Sequence, residues 1–173
     1  MITKKVVLVG DFSTGKTSLI RRYVDNEFSD AYLTTIGVKI SKKILMLEEG
    51  SVNLEMQLMI WDIEGSTGSK PTNPAYIIGA HGLVIVADIT RDTSIKNIGS
   101  HIIECQKIAK NIPIILAFNK SDLIQSEDEL QDILKDIKEQ NPQVSYIYDT
   151  SAKNGKNVEN IFSNLSELMI TKR

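Results

Sequence analysis

A chain of 173 residues fits one domain with one substantial core. Apolar residues at 42% and charged residues at 24%, without a low-complexity tract, exclude a disordered or fibrous chain, and a net charge of -2 lacks the basic footprint of a nucleic-acid binder. Cys105 is the only cysteine, which excludes an internal disulfide or a cysteine metal cluster and points to a reducing, cytoplasmic setting.

The chain opens with MITKKVVLVG, where two lysines lead into an apolar stretch too short for a signal-peptide core or a spanning helix. Residues 6–9 read as a strand covered on both faces, ending at Gly10. GDFSTGKT then matches the pattern G-x-x-x-x-G-K-[ST] between a strand and a helix, the context a phosphate-binding loop requires. Backbone N–H groups of Asp11, Phe12, Ser13, Thr14 and Gly15, together with the helix start at Lys16, Thr17 and Ser18, would surround a polyphosphate. Lys16 adds a charge over the β and γ phosphates, and the Thr17 hydroxyl suits magnesium. Leu19, Ile20 and Tyr23 mark the buried stripe of the helix that follows.

Alternation at Val38 and Ile40, then at Leu54, Met56, Leu58 and Ile60, predicts an antiparallel hairpin over 38–60 around the turn-like EEGSVN. Residues 83–86 and 113–118 read as buried strands, and 144–148 as a more polar strand nearer an edge. Helical stripes fall at Ile95, Ile98, Ile102, Cys105 and Ala109, and at Val158, Ile161, Phe162, Leu165, Leu168 and Met169. A third, at Leu130, Ile133, Leu134 and Ile137, is opened by Ser126 and Glu129 as a capping box. Strands and helices alternate, so the expected fold class is α/β, with a mostly parallel sheet, one antiparallel hairpin and helices on both faces. Such sheets bind ligands beyond the carboxyl ends of their strands.

Asn119-Lys120-Ser121-Asp122 lies at one of those ends. Guanine presents N1–H and an amino group side by side, and one carboxylate such as Asp122 can accept both, whereas adenine has an unprotonated N1 there. Asn119 can bridge loop and base, the stem of Lys120 can lie along the ring with its ammonium in water, and Phe28 can supply an aromatic edge. After the last strand, Thr150-Ser151-Ala152-Lys153 places a small residue where a backbone N–H of Ala152 can approach the guanine O6.

GDFSTGKT, Thr35, DIEG from Asp62, NKSD and SAK follow the order and approximate spacing of the Ras superfamily of small GTPases, which the chain resembles over nearly its whole length. TIGVKI, the Trp61-Asp62 pair and YIIGAHG are most similar to the Rab branch. The resemblance implies a single P-loop NTPase G domain over 1–173 with a six-stranded sheet, binding GTP or GDP with Mg2+. It implies Thr35 as a second metal ligand beside Thr17, with Asp62 as an outer partner of the ion. It further assigns the Gly65 N–H to the γ phosphate and Ser151, Ala152 and Lys153 to the base. Lys16, Thr35, Gly65 and the residue at Ser66 then form the catalytic set. Two hydrogen bonds made only to a γ phosphate, by Thr35 and Gly65, would together give roughly 3 to 6 kcal/mol of difference between nucleotide states.

Also implied are effectors reading the switch loops at 36–39 and 65–76, an exchange factor and an activating protein. The chain is expected to be a monomer, with no lipid anchor in LMITKR and membrane association only through partners or a further tail. Two positions depart from the pattern. Ser66 stands where a glutamine usually orients the attacking water, and Phe12 is bulky where small residues are usual and an activating arginine would approach. Both favour slow hydrolysis, with Glu64 or Thr67 the substitutes to consider, and they raise an alternative, a hydrolysis-deficient GTP-binding scaffold. An ATP-using enzyme conflicts with Asp122. The hairpin is longer than in typical Rab sequences, so its tip is a partner contact, and Trp61 with Ile36 divides between core and partner patch. His81 and His101 read as structural.

Overall fold

The computed structural model describes residues 1–31, 34–49, 52–67 and 70–171. β1 (Ile2–Val9) leads through the glycine-rich loop to α1 (Lys16–Asp25), and β2 (Val38–Glu49) and β3 (Val52–Ile63) form the hairpin. Then come α2 (Pro74–Ile77), β4 (Gly82–Asp88), α3 (Asp92–Lys96), α4 (Ile98–Ile108), β5 (Ile114–Asn119), α5 (Glu127–Gln140), β6 (Tyr146–Asp149) and α6 (Val158–Thr171). The six strands lie in the order β2-β3-β1-β4-β5-β6, antiparallel only between β2 and β3. The α/β class and the single hairpin are therefore as the sequence predicts.

Alternate residues of the central strands enter two cores, as the pleat requires. Val6, Leu8, Val84, Val86, Ile115 and Ala117 pack under α1 and α6 with Leu19, Tyr23, Phe162 and Leu165. Val7, Val9, Leu83, Ile85, Leu116 and Phe118 pack on the other face with Ile77, Ile102, Cys105, Leu130 and Ile137 from α2, α4 and α5. β4 is buried along its whole length. A strand so covered can reach solvent only at its ends, and that is where the loops gather.

Several boundaries differ from the sequence reading, four of them in ways that matter. β1 begins at Ile2, because pairing from Ile2 with Met56 to Lys5 with Met59 carries its two lysines into the sheet. β3 runs on to Ile63 and so holds Asp62 in its last turn of pleat. The stripe from Ile95 to Ala109 is two helices rather than one, divided at Asn97. β6 is shorter and later than 144–148, since Val144 closes a turn onto Asn141 instead of pairing. Ser126 does cap α5, accepting the Glu129 N–H at 3.3 Å. Residues 50 and 51 at the expected hairpin turn lie outside the described residues.

Candidate functional site

The glycine-rich loop begins where β1 meets the end of β4, and its shape demands glycine at two points. A Cβ on Gly10 would lie 2.1 Å from the Val86 carbonyl oxygen, and one on Gly15, at φ +93°, would lie 2.2 Å from Nδ2 of Asn119. Gly15 opens α1, whose first residue is Lys16. The Lys16 ammonium is buried and folds back into the loop, donating to the carbonyls of Gly10 at 3.1 Å and Asp11 at 2.9 Å. Burial lowers its pKa to about 8 against the attraction of Asp62 and Asp11, with Arg91 adding to the fall. A polyphosphate on the loop would offer this amine a stronger partner than two carbonyls.

At the next residue, Thr17 donates to Oδ2 of Asp62 at 2.7 Å, and Thr35 donates to the same oxygen at 3.2 Å. The two threonine hydroxyls are 2.7 Å apart. Three segments far apart in sequence thus converge on one carboxylate. Burial raises the Asp62 pKa, while the Thr17 bond, Lys16, Thr35 and Lys39 oppose the rise. Oδ1 of Asp62 is buried with no partner, and a buried unsatisfied carboxylate oxygen calls for a cation or an ordered water. Hydroxyl and carboxylate oxygens are the donors Mg2+ prefers, so the set fits the expected ion.

At the far end of the same cleft, Asp122 is held by the Ser151 hydroxyl on Oδ1 at 2.6 Å. Asn119 ties the loops together, donating to the Thr14 carbonyl at 3.0 Å and accepting the Ala152 N–H at 3.2 Å. The cleft, about 280 Å³, is lined by Phe12, Ser13, Gly15, Lys16, Thr17, Ser18, Phe28, Thr35, Gly65, Asn119, Lys120, Asp122, Ala152 and Lys153. These are expected site residues from every motif, on one surface. Thr14 and Ser151 are fully buried and act from behind through those bonds.

One expected detail is corrected, and two expected contact residues have further partners. The Lys120 ammonium is not left in water: it donates to the Ser13 carbonyl at 2.9 Å and to Asp88 at 2.6 Å, fixing the stem beside the cleft. The Ala152 N–H is already given to Asn119, so a guanine O6 would share it. The side chain of Asp11 turns away from the nucleotide cleft, its oxygens accepting from His101 at 2.8 Å and Asn97 at 2.9 Å. His101, which reads as merely structural, therefore touches the phosphate loop.

The loop after β3 docks on the phosphate loop. Ser66 donates its N–H to the Gly10 carbonyl at 3.1 Å and accepts the Phe12 N–H at 3.0 Å, a parallel bridge opposite Asp11. Gly65 fits because a Cβ there would sit 2.5 Å from the Phe12 Cα. Ser66 is buried and borders a second cleft, about 410 Å³, shared with Asp11, Arg91, Asn97 and His101, rather than the nucleotide cleft. Glu64, one of the expected stand-ins for a glutamine, is occupied: Lys70 donates to both its oxygens at 2.8 Å, and the Gly37 N–H reaches Oε2 at 3.3 Å. Lys70 and Gly37 accordingly hold its pKa down. Of the expected 65–76 loop, residues 68 and 69 lie outside the described residues. Trp61 is half-buried, under the Lys5 ammonium at 3.7 Å and tilted against Tyr76, and pairs across the hairpin with the exposed Ile40.

Sequence reasoning missed four supporting side chains: Arg22, Asp88, Arg91 and Asn97. Arg22, on the outer face of α1, donates to the carbonyls of Ala152 at 2.8 Å and Lys153 at 2.5 Å, joining the helix of the phosphate loop to the base loop. Asp88 could have been suspected as a polar residue closing an apolar strand. The others carry no pattern that one sequence displays.

The Ras family model matches residues 5–171. The Ras-related protein Rab-1 of Theileria annulata is 35% identical over 167 residues, 95% of this chain and 73% of the relative. The Ras-related protein RABA4b of Arabidopsis thaliana is 37% identical over 163 residues, covering 93% of this chain and 70% of its own. The GTP-binding protein ypt1 of Schizosaccharomyces pombe is 31% identical over 163 residues, covering 94% and 77%.

Proposed function

The chain belongs to the Ras family, in its Rab branch, and from that premise we propose that it is a guanine-nucleotide switch whose own hydrolysis of GTP is very slow. The observation that carries the reading is the single cleft with a fixed carboxylate, Asp122, at one end and Lys16 with the Thr17, Thr35 and Asp62 cluster at the other. A purine nucleotide has that polarity: a hydrogen-bonding base edge at one end and a polyanion at the other.

In this reading Asp122 accepts from guanine N1–H and the amino group, with its free oxygen available because Ser151 occupies the other. Phe28 and the stem of Lys120 cover the ring. Lys16 takes the β and γ phosphates, and α1 points its N-terminus at them. Thr17 and Thr35 would hold Mg2+ with Asp62 behind, and the ion when bound would supply positive charge against the phosphates. Thr35 and the Gly65 N–H lose their γ-phosphate bonds on hydrolysis. That difference, roughly 3 to 6 kcal/mol, compares with about 5.5 kcal/mol needed to reverse a two-state population.

Hydrolysis is the weaker half. Ser66 is too short to orient water at the γ phosphate, and its backbone is spent on Gly10 and Phe12. This supports an intrinsic rate at or below roughly 10⁻⁴ per second and a second reading, a GTP-holding assembly module, favoured by the same docking of Ser66. Partners that read 36–39 and 65–76 would follow loop order in either case.

The test has two parts. Nucleotide released by heat from purified protein is expected to be GDP or GTP, and release of ATP or ADP refutes the assignment. Asp122→Asn is expected to weaken GDP and admit xanthosine diphosphate, whose extra carbonyl accepts from the new amide; unchanged GDP affinity refutes the role of Asp122.

A further inference from the structure

The phosphate loop is gripped from its outer side as well as from the cleft. Asp11 has both carboxylate oxygens occupied, by Nε2 of His101 at 2.8 Å and Nδ2 of Asn97 at 2.9 Å. Its neighbour Phe12 accepts Nη2 of Arg91 on its carbonyl at 2.7 Å. The three donors lie within eleven positions of one another, at the start of α3, the break between α3 and α4, and the first turn of α4. His101 is buried and its ring cannot swing freely. The break at Asn97 has a use in this arrangement, since it brings Arg91 on one side and His101 on the other to bear on consecutive loop residues.

We propose that Arg91, Asn97 and His101 are positioning residues that clamp the phosphate loop from behind and thereby set how long a guanine nucleotide stays bound. The inference rests on the nucleotide reading above. Asp11 and Phe12 begin the arc that continues through Ser13 and Gly15 to Lys16. A nucleotide leaves only when that arc opens, and opening it pulls Asp11 and Phe12 off their outer partners. A clamped loop is also preorganised, so less ordering is needed on binding. The Arg91 guanidinium is near enough to Lys16 to disfavour its charge, which places the clamp against the seat of the phosphates. Phe12 is held on its other side by Ser66 through its N–H, so the clamp and the loop after β3 share one residue.

The test is dissociation of a fluorescent GDP analogue, chased with excess GDP at constant magnesium, from wild type, Asn97→Ala, His101→Ala, His101→Gln and Arg91→Ala. Ile103→Ala, on the exposed face of α4, is the control. Each alanine variant within the clamp is expected to release GDP about 5- to 20-fold faster, the scale of losing one hydrogen bond to a charged or fixed partner. His101→Gln keeps an N–H donor toward Asp11 and is expected to recover most of the wild-type rate. Because the clamp acts on the loop that both nucleotides share, GTP analogue release should quicken in parallel, leaving the ratio of the two affinities within about twofold of wild type. A merely structural role would lower the melting temperature without this pattern. Release rates within twofold of wild type for Asn97→Ala, Arg91→Ala and His101→Ala, with GDP still bound, overturn the clamp and leave the nucleotide reading standing. His101→Gln as fast as His101→Ala also overturns the clamp. Absence of GDP binding by wild type overturns both.

Discussion

Lys16 can be titrated to learn whether its amine sits where a polyphosphate must lie. Burial lowers it from 10.5 to about 8, against the pull of Asp62 and Asp11. That fall corresponds to about 3 kcal/mol against the charged form. Between pH 8 and 10.5 the unfolded chain keeps a proton that the folded chain has released, so nucleotide-free protein gains stability as pH rises through that window. Below pH 8 both states carry the proton and the cost stands in full. Cys105, whose thiol burial pushes up to about 12, acts in the opposite sense above its ordinary range, so the measurement is the difference from Lys16→Met. Binding reverses the preference, because phosphates hold the amine charged. GDP must then bring a proton with it above about pH 8, and affinity falls by up to tenfold for each further pH unit. Calorimetric titration at about pH 9 in buffers of different ionisation enthalpy reads that proton directly. No proton uptake, or the same pH slope in Lys16→Met, would refute the placement of Lys16.

Other perturbations address the remaining parts of the site. Ser66→Gln is expected to raise single-turnover GTP hydrolysis at least ~10-fold above wild type, measured by phosphate release; a wild-type turnover near one per second would instead show that another group orients the water. Gly65→Ala puts a Cβ 2.5 Å from the Phe12 Cα, so the loop after β3 must leave the phosphate loop; hydrogen exchange at Ser66 and Phe12 should speed by at least ~10-fold, and unchanged protection would contradict the docking. Lys120→Met removes the donor to Ser13 and Asp88 and is expected to weaken GDP ~10- to 100-fold, with a smaller loss pointing to the stem rather than the charge as the useful part.

Much of the fold was readable because the strands that matter are apolar on both faces. Residues 6–9, 83–86 and 113–118 have no solvent side, and runs of that kind suit little besides the middle of a parallel sheet. The loop proposed to hold the base stands out for a chemical reason: Asn119 ends such a strand and Asp122 falls just beyond it, where a carboxylate has few structural uses. What could not be read depends on distances through space. Asp11 stands inside the motif, where only its backbone N–H is expected to matter, and its carboxylate belongs to Asn97 and His101, 86 and 90 positions away. Lys120 reads as solvated because nothing local offers a partner, and Asp88 supplies one from the neighbouring strand. The break at Asn97 was invisible for a related reason, since the apolar stripe keeps its helical phase across it.

The two loops that would respond to a γ phosphate are fastened differently, and this decides which of them can report the nucleotide. Thr35 rests on Thr17 and Asp62, the very oxygens assigned to magnesium, so whatever occupies the ion site competes for or replaces each of its bonds. Ser66 rests on the Gly10 carbonyl and the Phe12 N–H, backbone bonds that involve none of the oxygens proposed for the ion. The first loop also joins the second through Gly37, whose carbonyl accepts the Glu64 N–H at 2.8 Å while its N–H reaches the Glu64 side chain. Ile36 lies between these two fastenings and is 85% exposed, an apolar side chain turned outward because its neighbours on both sides are turned in. Release of Thr35 would free one of the two anchors that present Ile36, and it would not of itself break the bridge at Ser66. A partner that grips Ile36 would therefore distinguish nucleotide states in a way that a partner gripping only 65–67 could not.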